Sequence, residues 1–125
     1  MSAILIDSDV LIEVSRARDR AILSRWDELG RGANRLSCSP VSVAEIWHGA
    51  RPHEKNVLDG LFAALDCVPI DEEIGKRAGE YLRDFAKSHA VELGDALIAA
   101  TASVHELSLW TRNRRHYPMK DVVFF

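Results

Sequence analysis

The chain has 125 residues, is 47% apolar and carries a formal net charge of −3. That length predicts one domain over residues 1–125, large enough to bury a core without disulfides or a structural metal. No apolar run approaches the ~20 residues of a membrane helix, and Asp7 and Asp9 break the apolar N-terminal run, so neither membrane insertion nor a signal peptide is expected and the cytoplasm is the expected location.

Ala3-Ile4-Leu5-Ile6 is a short apolar run that ends abruptly in Asp7. Such a run suits a strand buried on both faces of a parallel sheet. Val10 to Ala17 reads as a short helix capped by Ser8 or Asp9. A second helix, roughly Asp19 to Leu29, is closed by Gly30 and Gly32. Leu36 to Ser39 is the second strand, with Pro40 at or just past its end. Ser42-Val43-Ala44-Glu45 has the form of a capping box opening a helix to about Ala50. A further helix covers about His53 to Leu65, and Cys67 to Ile70 is a third strand. Cys38 and Cys67 lie in strand-like segments without a Cys-x-x-Cys pattern and read as small buried thiols. Asp71 caps the longest helix, Glu72 to His89, and Ala90 to Leu93 is a loop. Asp95 stands in the first turn of a largely apolar helix to about Glu106. Ser108 to Thr111 and Val122 to Phe125 complete the set as fourth and fifth strands. Strands alternate with helices throughout, which predicts an α/β chain: a three-layer α/β/α domain around a central, mainly parallel five-stranded sheet.

Each acid has a local explanation. Asp7 and Asp9 could be turn or cap residues, Glu45 the reciprocal member of the capping box, and Asp95 a complement to the helix dipole. Topology supplies another. A helix that feeds a parallel strand starts at the carboxyl edge of the sheet. Asp7, Glu45, Asp95 and the turn bearing Asn113 therefore fall on one edge, where open α/β sheets bind ligands. No Lys or Arg adjoins Asp7, Glu45 or Asp95 in sequence. Unpaired carboxylates that close raise one another's pKa values, and a cation relieves the repulsion. Oxygen ligands with few histidines point to Mg²⁺ or Mn²⁺. Gly49 and Ala99 each lie one helical turn beyond an acid, which leaves room for a substrate backbone or for close helix packing.

Basic residues cluster in two places: Arg112, Arg114, Arg115, His116 and Lys120, and more loosely Arg16, Arg18, Arg20 and Arg25. They read either as solvated surface or as the flanks of a site acting on a phosphodiester.

The segments ILIDSDVLIE, SVAEIWHGA, LGDALIAATA and LWTRNRRHYP resemble, in order and spacing, the four motifs of PIN-domain nucleases, in particular the VapC-type toxins of bacterial toxin–antitoxin pairs. The resemblance spans Ala3 to Phe125. It implies a PIN fold, Mg²⁺- or Mn²⁺-dependent endoribonuclease activity on RNA, and a cognate antitoxin, with the chain a homodimer inside the toxin–antitoxin complex. By motif position it makes Asp7, Glu45 and Asp95 acidic metal ligands and places Asn113 at a fourth catalytic position that is Asp in many relatives. Ser8 and Thr111 match the polar positions beside the acids. Arg112, Arg114 or Arg115 could clamp neighbouring phosphates. Asp9, acidic where many relatives carry Asn or Ser, has an open role. The neutral amide of Asn113 is expected to orient Asp7 or Asp95 by donating its NH₂ rather than to hold a cation tightly.

Two other readings compete. Asp7-Ser8-Asp9 after an apolar strand mimics the Asp-x-Asp of haloacid-dehalogenase-like phosphatases, where the first Asp is the nucleophile, although Val10-Leu11 replaces the usual Gly-Thr. Asn113 also leaves room for a catalytically silent PIN-like module that only binds RNA or protein. Trp47, beside Glu45, is either core or an anchor for a partner.

Overall fold

A computed structural model of the chain describes residues 2–125. Four strands, β1 (Ala3–Ile6), β2 (Arg35–Cys38), β3 (Asp66–Cys67) and β4 (Ser108–Trp110), form one sheet in the order β3-β2-β1-β4. Every pairing is parallel. The sheet therefore has four strands, not five. The expected fifth reduces to a bridge from Phe124 to Leu109. Val122 is buried while Val123 is exposed, so this tail lies along β4 without extending a ladder.

The helices are α1 (Ser8–Arg16), α2 (Arg20–Arg31), α3 (Pro40–His48), α4 (Lys55–Ala63), α5 (Glu72–His89) and α6 (Leu93–Val104). Alternate β1 residues divide the core, as strand geometry requires. Leu5 and Leu109 face α5 and α6, where Ile74, Ala78, Tyr81, Ile98 and Ala102 pack. Ile4, Ile6 and Trp110 face the other layer, with Leu11, Ile22, Ile46 and Leu58. The result is the expected three-layer arrangement.

Several local readings change. Asp7, not Ser8 or Asp9, caps α1, its side chain accepting from the Ser8 N–H at 2.8 Å. The Ser42–Glu45 capping box is not formed. Ser39 is the cap of α3, accepting from the Val41 N–H at 3.1 Å, and Pro40 occupies the first turn. Proline is favoured there because that N–H has no helical partner. Glu45 thus lies beyond the first turn and is released from capping. The helix expected from His53 divides into a 3₁₀ turn, Pro52–Glu54, and α4. β3 is only two residues long, and Cys67 on this outer strand is exposed, contrary to the buried-thiol reading; Cys38 is buried. A 3₁₀ turn at Arg114–His116 had no sequence signal.

The strand order places the functional crevice. From β1 the chain passes to β2 on one side and later to β4 on the other. The carboxyl ends of β1 and β4 are neighbours, and the Asp7 N–H donates to the Trp110 carbonyl at 2.9 Å. Asp7 and Thr111 leave adjacent strands at this switch point.

Candidate active site

A cavity of about 430 Å³ opens at this edge, lined by Asp7, Ser8, Asp9, Glu45, Glu92, Asp95, Asn113 and His116 among others. Five of its lining residues are carboxylic acids and none is Lys or Arg. A larger concavity, about 800 Å³, lies by the end of α2 and the start of β2. It brings together none of the sequence motifs, so the smaller cavity is the chemically informative one.

Asp7 is the most firmly held acid. It is 8% exposed. Its Oδ1 accepts from the Ser8 N–H, and its Oδ2 accepts from Thr111 Oγ1 at 2.9 Å and from the Tyr117 hydroxyl at 2.8 Å. A carboxylate offers about four lone-pair positions. The three donors leave one open, on Oδ1. Burial, followed by the Asp7 charge, pushes the Tyr117 hydroxyl far above its ordinary range and keeps it a donor.

Asp9 joins the same wall. Its Oδ2 accepts from the Arg112 N–H at 3.1 Å and lies 3.4 Å from Thr111 Oγ1. Its Oδ1 is buried with no hydrogen-bond partner. Burial first, and the Asp7 charge second, raise its carboxyl to about 6. An orphaned oxygen beside a second carboxylate can be satisfied by a proton or by a cation.

Glu45 arrives from α3. Ser8 Oγ lies 2.9 Å from both Glu45 Oε1 and Ser42 Oγ. The carboxylate can only accept, so the Ser8 proton goes to Glu45 and the Ser42 hydroxyl donates to Ser8. Ser8 is thus buried as a link between α1 and α3. Asp95 lies in the first turn of α6, as expected, and its Oδ2 accepts a long bond, 3.4 Å, from the Glu92 N–H. Burial raises its carboxyl, with the charges of Asp7 and Glu92 adding to the shift. A Cβ on neighbouring Gly94 would sit 3.4 Å from Val41 Cγ1, so the glycine allows α6 to start close to α3.

Asn113 does not reach Asp7 or Asp95. Its backbone N–H donates to Thr111 Oγ1 at 3.0 Å, and its side-chain amide meets His116 Nε2 at 3.2 Å. With the amide donating to Nε2, the ring proton sits on Nδ1, which faces Asp95 Oδ1 at 3.9 Å. Asn113 therefore acts on Asp95 through His116. Arg112, Arg114 and Arg115 do not line the cavity. The Arg112 guanidinium lies 3.3 Å from buried Glu13, and that of Arg114 covers the Phe124 ring. Arg115 is exposed. Ala99 is fully buried, so packing against the core explains its small side chain; Gly49 has open space around its Cα. Trp47 is half-buried against the core layer of α1 and α3.

The sequence singles out none of Tyr117, Glu92 and Glu13, and it shows His116 only as part of the basic cluster, not as a partner of Asp95. His116 and Tyr117 close the basic fourth segment but show no periodicity, and their roles come from a turn that returns to β1.

The donor set fits a hard divalent cation: all oxygen, mostly carboxylate, with an open Asp7 lone pair and an unpartnered Asp9 oxygen. Among the described residues, however, no three acids, histidines or cysteines are gathered tightly enough to form a ready-made cage.

Residues 4–122 match the family model of the PIN domain. The chain is 42% identical over 121 residues to Ribonuclease VapC10 of Mycobacterium tuberculosis, covering 93% of this chain and 86% of that protein. It is 30% identical over 116 residues to Ribonuclease VapC19 of the same species, covering 92% of each. Among solved structures, DNA-bound VapBC from Salmonella typhimurium superposes with a TM-score of 0.84 at 19% identity, covering 100% of this chain and 98% of the other. FitAcB from Neisseria gonorrhoeae superposes with a TM-score of 0.75 at 27% identity, covering 98% and 96%.

Proposed function

The chain belongs to the PIN-domain family, and on that premise we propose that it is a VapC-type endoribonuclease: the toxin of a toxin–antitoxin pair, hydrolysing RNA phosphodiesters and restrained by a cognate antitoxin protein. Ribonucleases of this family depend on metal in general. The finer reading is Mg²⁺ or Mn²⁺ held by Asp7, Glu45 and Asp95, with residues 1–125 forming one PIN domain that works in the cytoplasm as a homodimer within the toxin–antitoxin complex. One observation carries it: five carboxylic residues line one cavity that contains no Lys or Arg.

The cation would supply the positive charge that acidifies a water and offsets charge on the phosphoryl oxygens. The chain's own groups orient its ligands. Thr111 and Tyr117 fix Asp7, which lines the cavity with one lone pair of Oδ1 unused. Ser8 holds Glu45, and the Asn113–His116 pair aims at Asp95. Such outer partners set ligand geometry and basicity. Asp9, whose role the family resemblance left open, supplies a further carboxylate.

A nucleophilic Asp7, as in the phosphatase reading, fits poorly, because three donors already occupy its oxygens. The test is cleavage of a structured RNA by the purified chain with Mg²⁺ or Mn²⁺, repeated in EDTA. Cleavage lost in EDTA and restored by the cation is expected. Undiminished cleavage in EDTA defeats the metal reading, and RNA binding without any cleavage favours the silent module.

A further inference from the structure

The looser arginine cluster of the N-terminal region plays no part in the acidic cavity. Arg25 stacks over the Phe125 ring at 4.3 Å, and Arg18 pairs with buried Glu13 at 2.7 Å. Arg16 has a different setting. Glu45 lines the acidic cavity and also a small recess of about 50 Å³ with Ile12, Arg16, Gly49 and Glu54. That recess shares Arg16, Glu54, Ser15 and Leu58 with a hollow of about 380 Å³, which adds Arg18, Arg51 and His53. Shared lining residues set the three spaces in series over α1 and the end of α3. From Ser8 to Arg16 the helix rises about 12 Å, a length that spans a few nucleotides.

Charge changes along the path. The inner end is lined by carboxylates and the outer hollow by three arginines with Glu54 as the sole acid. Glu54 accepts from the Arg51 N–H at 3.0 Å and lies 3.6 Å from Arg16 Nε. Its carboxyl is held below the ordinary range, first by that N–H and then by the charges of Arg16, Arg51 and His53. One carboxylate thus faces several cations, and among the described residues the Arg51 guanidinium has no ion-pair partner. At the neck, a Cβ on Gly49 would meet no atom within 4 Å. A chain of phosphates matches this arrangement: cation-mediated chemistry at the inner end and direct guanidinium contact at the outer one.

We propose that single-stranded RNA leaves the acidic cavity past Gly49 and that Arg16 and Arg51 bind its backbone phosphates in the outer hollow. The inference rests on the ribonuclease reading and adds a substrate subsite to it. Contacts to phosphate carry no base preference of their own, so the subsite contributes affinity and register rather than sequence choice.

The test is fluorescence anisotropy of a labelled oligouridylate on the full chain, in an Asp95→Asn background with Mg²⁺ so that binding is read without cleavage. Arg16→Ala combined with Arg51→Ala is expected to weaken binding roughly tenfold at low salt. The slope of log affinity against log salt should fall by about 1.4, or 0.7 for each lost phosphate contact on a single strand. Lys76→Ala on α5, far from the path, should change neither. Circular dichroism and melting of the double variant check its fold; if it is impaired, Arg51→Gln alone should still lower the slope by about 0.7. Unchanged affinity and slope in a folded variant overturn the proposal, and loss of antitoxin capture alongside unchanged RNA binding reassigns the hollow to a protein partner. Cleavage by the unsubstituted chain separates the two levels. If it cleaves with metal but the arginines are silent, only the subsite fails; if it neither binds nor cleaves RNA, both readings fail.

Discussion

The two walls of the acidic cavity are built differently. On the β1–β4 wall, Asp7 is buried and takes three short hydrogen bonds, and Asp9 is fastened to the Arg112 backbone. On the helical wall, Glu45 is exposed with one serine contact, and Asp95 has a 3.4 Å cap bond and a histidine at 3.9 Å. One wall is fixed by the sheet, while the other leaves its carboxylates room to adjust. This division explains why the donor set suits a cation although no tight cage is present. In the proposed metal site, adjustable ligands would be drawn toward a fixed one.

The largest effects should come from removing the acids themselves. Asp7→Asn, Glu45→Gln and Asp95→Asn are each expected to lower RNA cleavage by more than about 100-fold, above the usual effect of losing an outer partner. Single-turnover cleavage on folded variants measures this. If Glu45→Gln keeps near-normal turnover, the helical wall reduces to Asp95.

Next comes the support of the fixed wall. Tyr117→Phe leaves a buried carboxylate with one donor fewer. It should cost about 1–3 kcal/mol in urea unfolding and roughly 10–100-fold in cleavage. A variant that loses activity without losing stability would show that Tyr117 does not hold Asp7 in place.

On the adjustable wall, Asn113→Ala should lower cleavage by roughly tenfold. Because Asn113 reaches Asp95 only through His116, His116→Ala should have a similar effect, and the double variant should add little to either. Fully additive losses would mean that the two side chains act separately.

A last effect is read in stability alone, as a pH dependence. The folded-state pKa of Asp9 is raised to about 6, chiefly by burial, and that of Asp95 is raised also. The folded chain therefore holds protons that the unfolded chain has released. In metal-free buffer its stability should fall as pH rises from about 4 to 6. Asp9→Asn should reduce this slope, and saturating Mg²⁺ should flatten it. Melting temperatures across that range provide the measurement; a slope unchanged in Asp9→Asn would mean that Asp9 is not the titrating group.

Much of this division was legible in the sequence because it follows from chain topology. The apolar run ending at Asp7, and Asp95 in the first turn of an apolar helix, fix their positions through parallel-strand rules alone. Glu45 was reached despite a misplaced helix start. Two serines competed for the cap, and Pro40 decided in favour of Ser39, because a proline loses nothing in the first turn. The fixed wall was less legible. Tyr117 and His116 sit in an irregular return after β4, where no periodicity assigns a direction to a side chain. The fifth strand failed for a similar reason: the apolar run Val122-Val123-Phe124-Phe125 suits a strand, but only Phe124 makes the bridge.

The bonds from Thr111 and Tyr117 to Asp7 join positions 104 and 110 residues apart. β1, although made first, gains its β4 neighbour only when residues 108–110 are available. Contacts so distant in sequence form late, after their closure entropy has been overcome. During synthesis, therefore, the growing polypeptide carries Asp7 without its two hydroxyl donors until Thr111 and Tyr117 have been added and can fold back onto β1. A nuclease assembled in this order keeps its acidic wall unfinished until residues 108–117 can pack against β1.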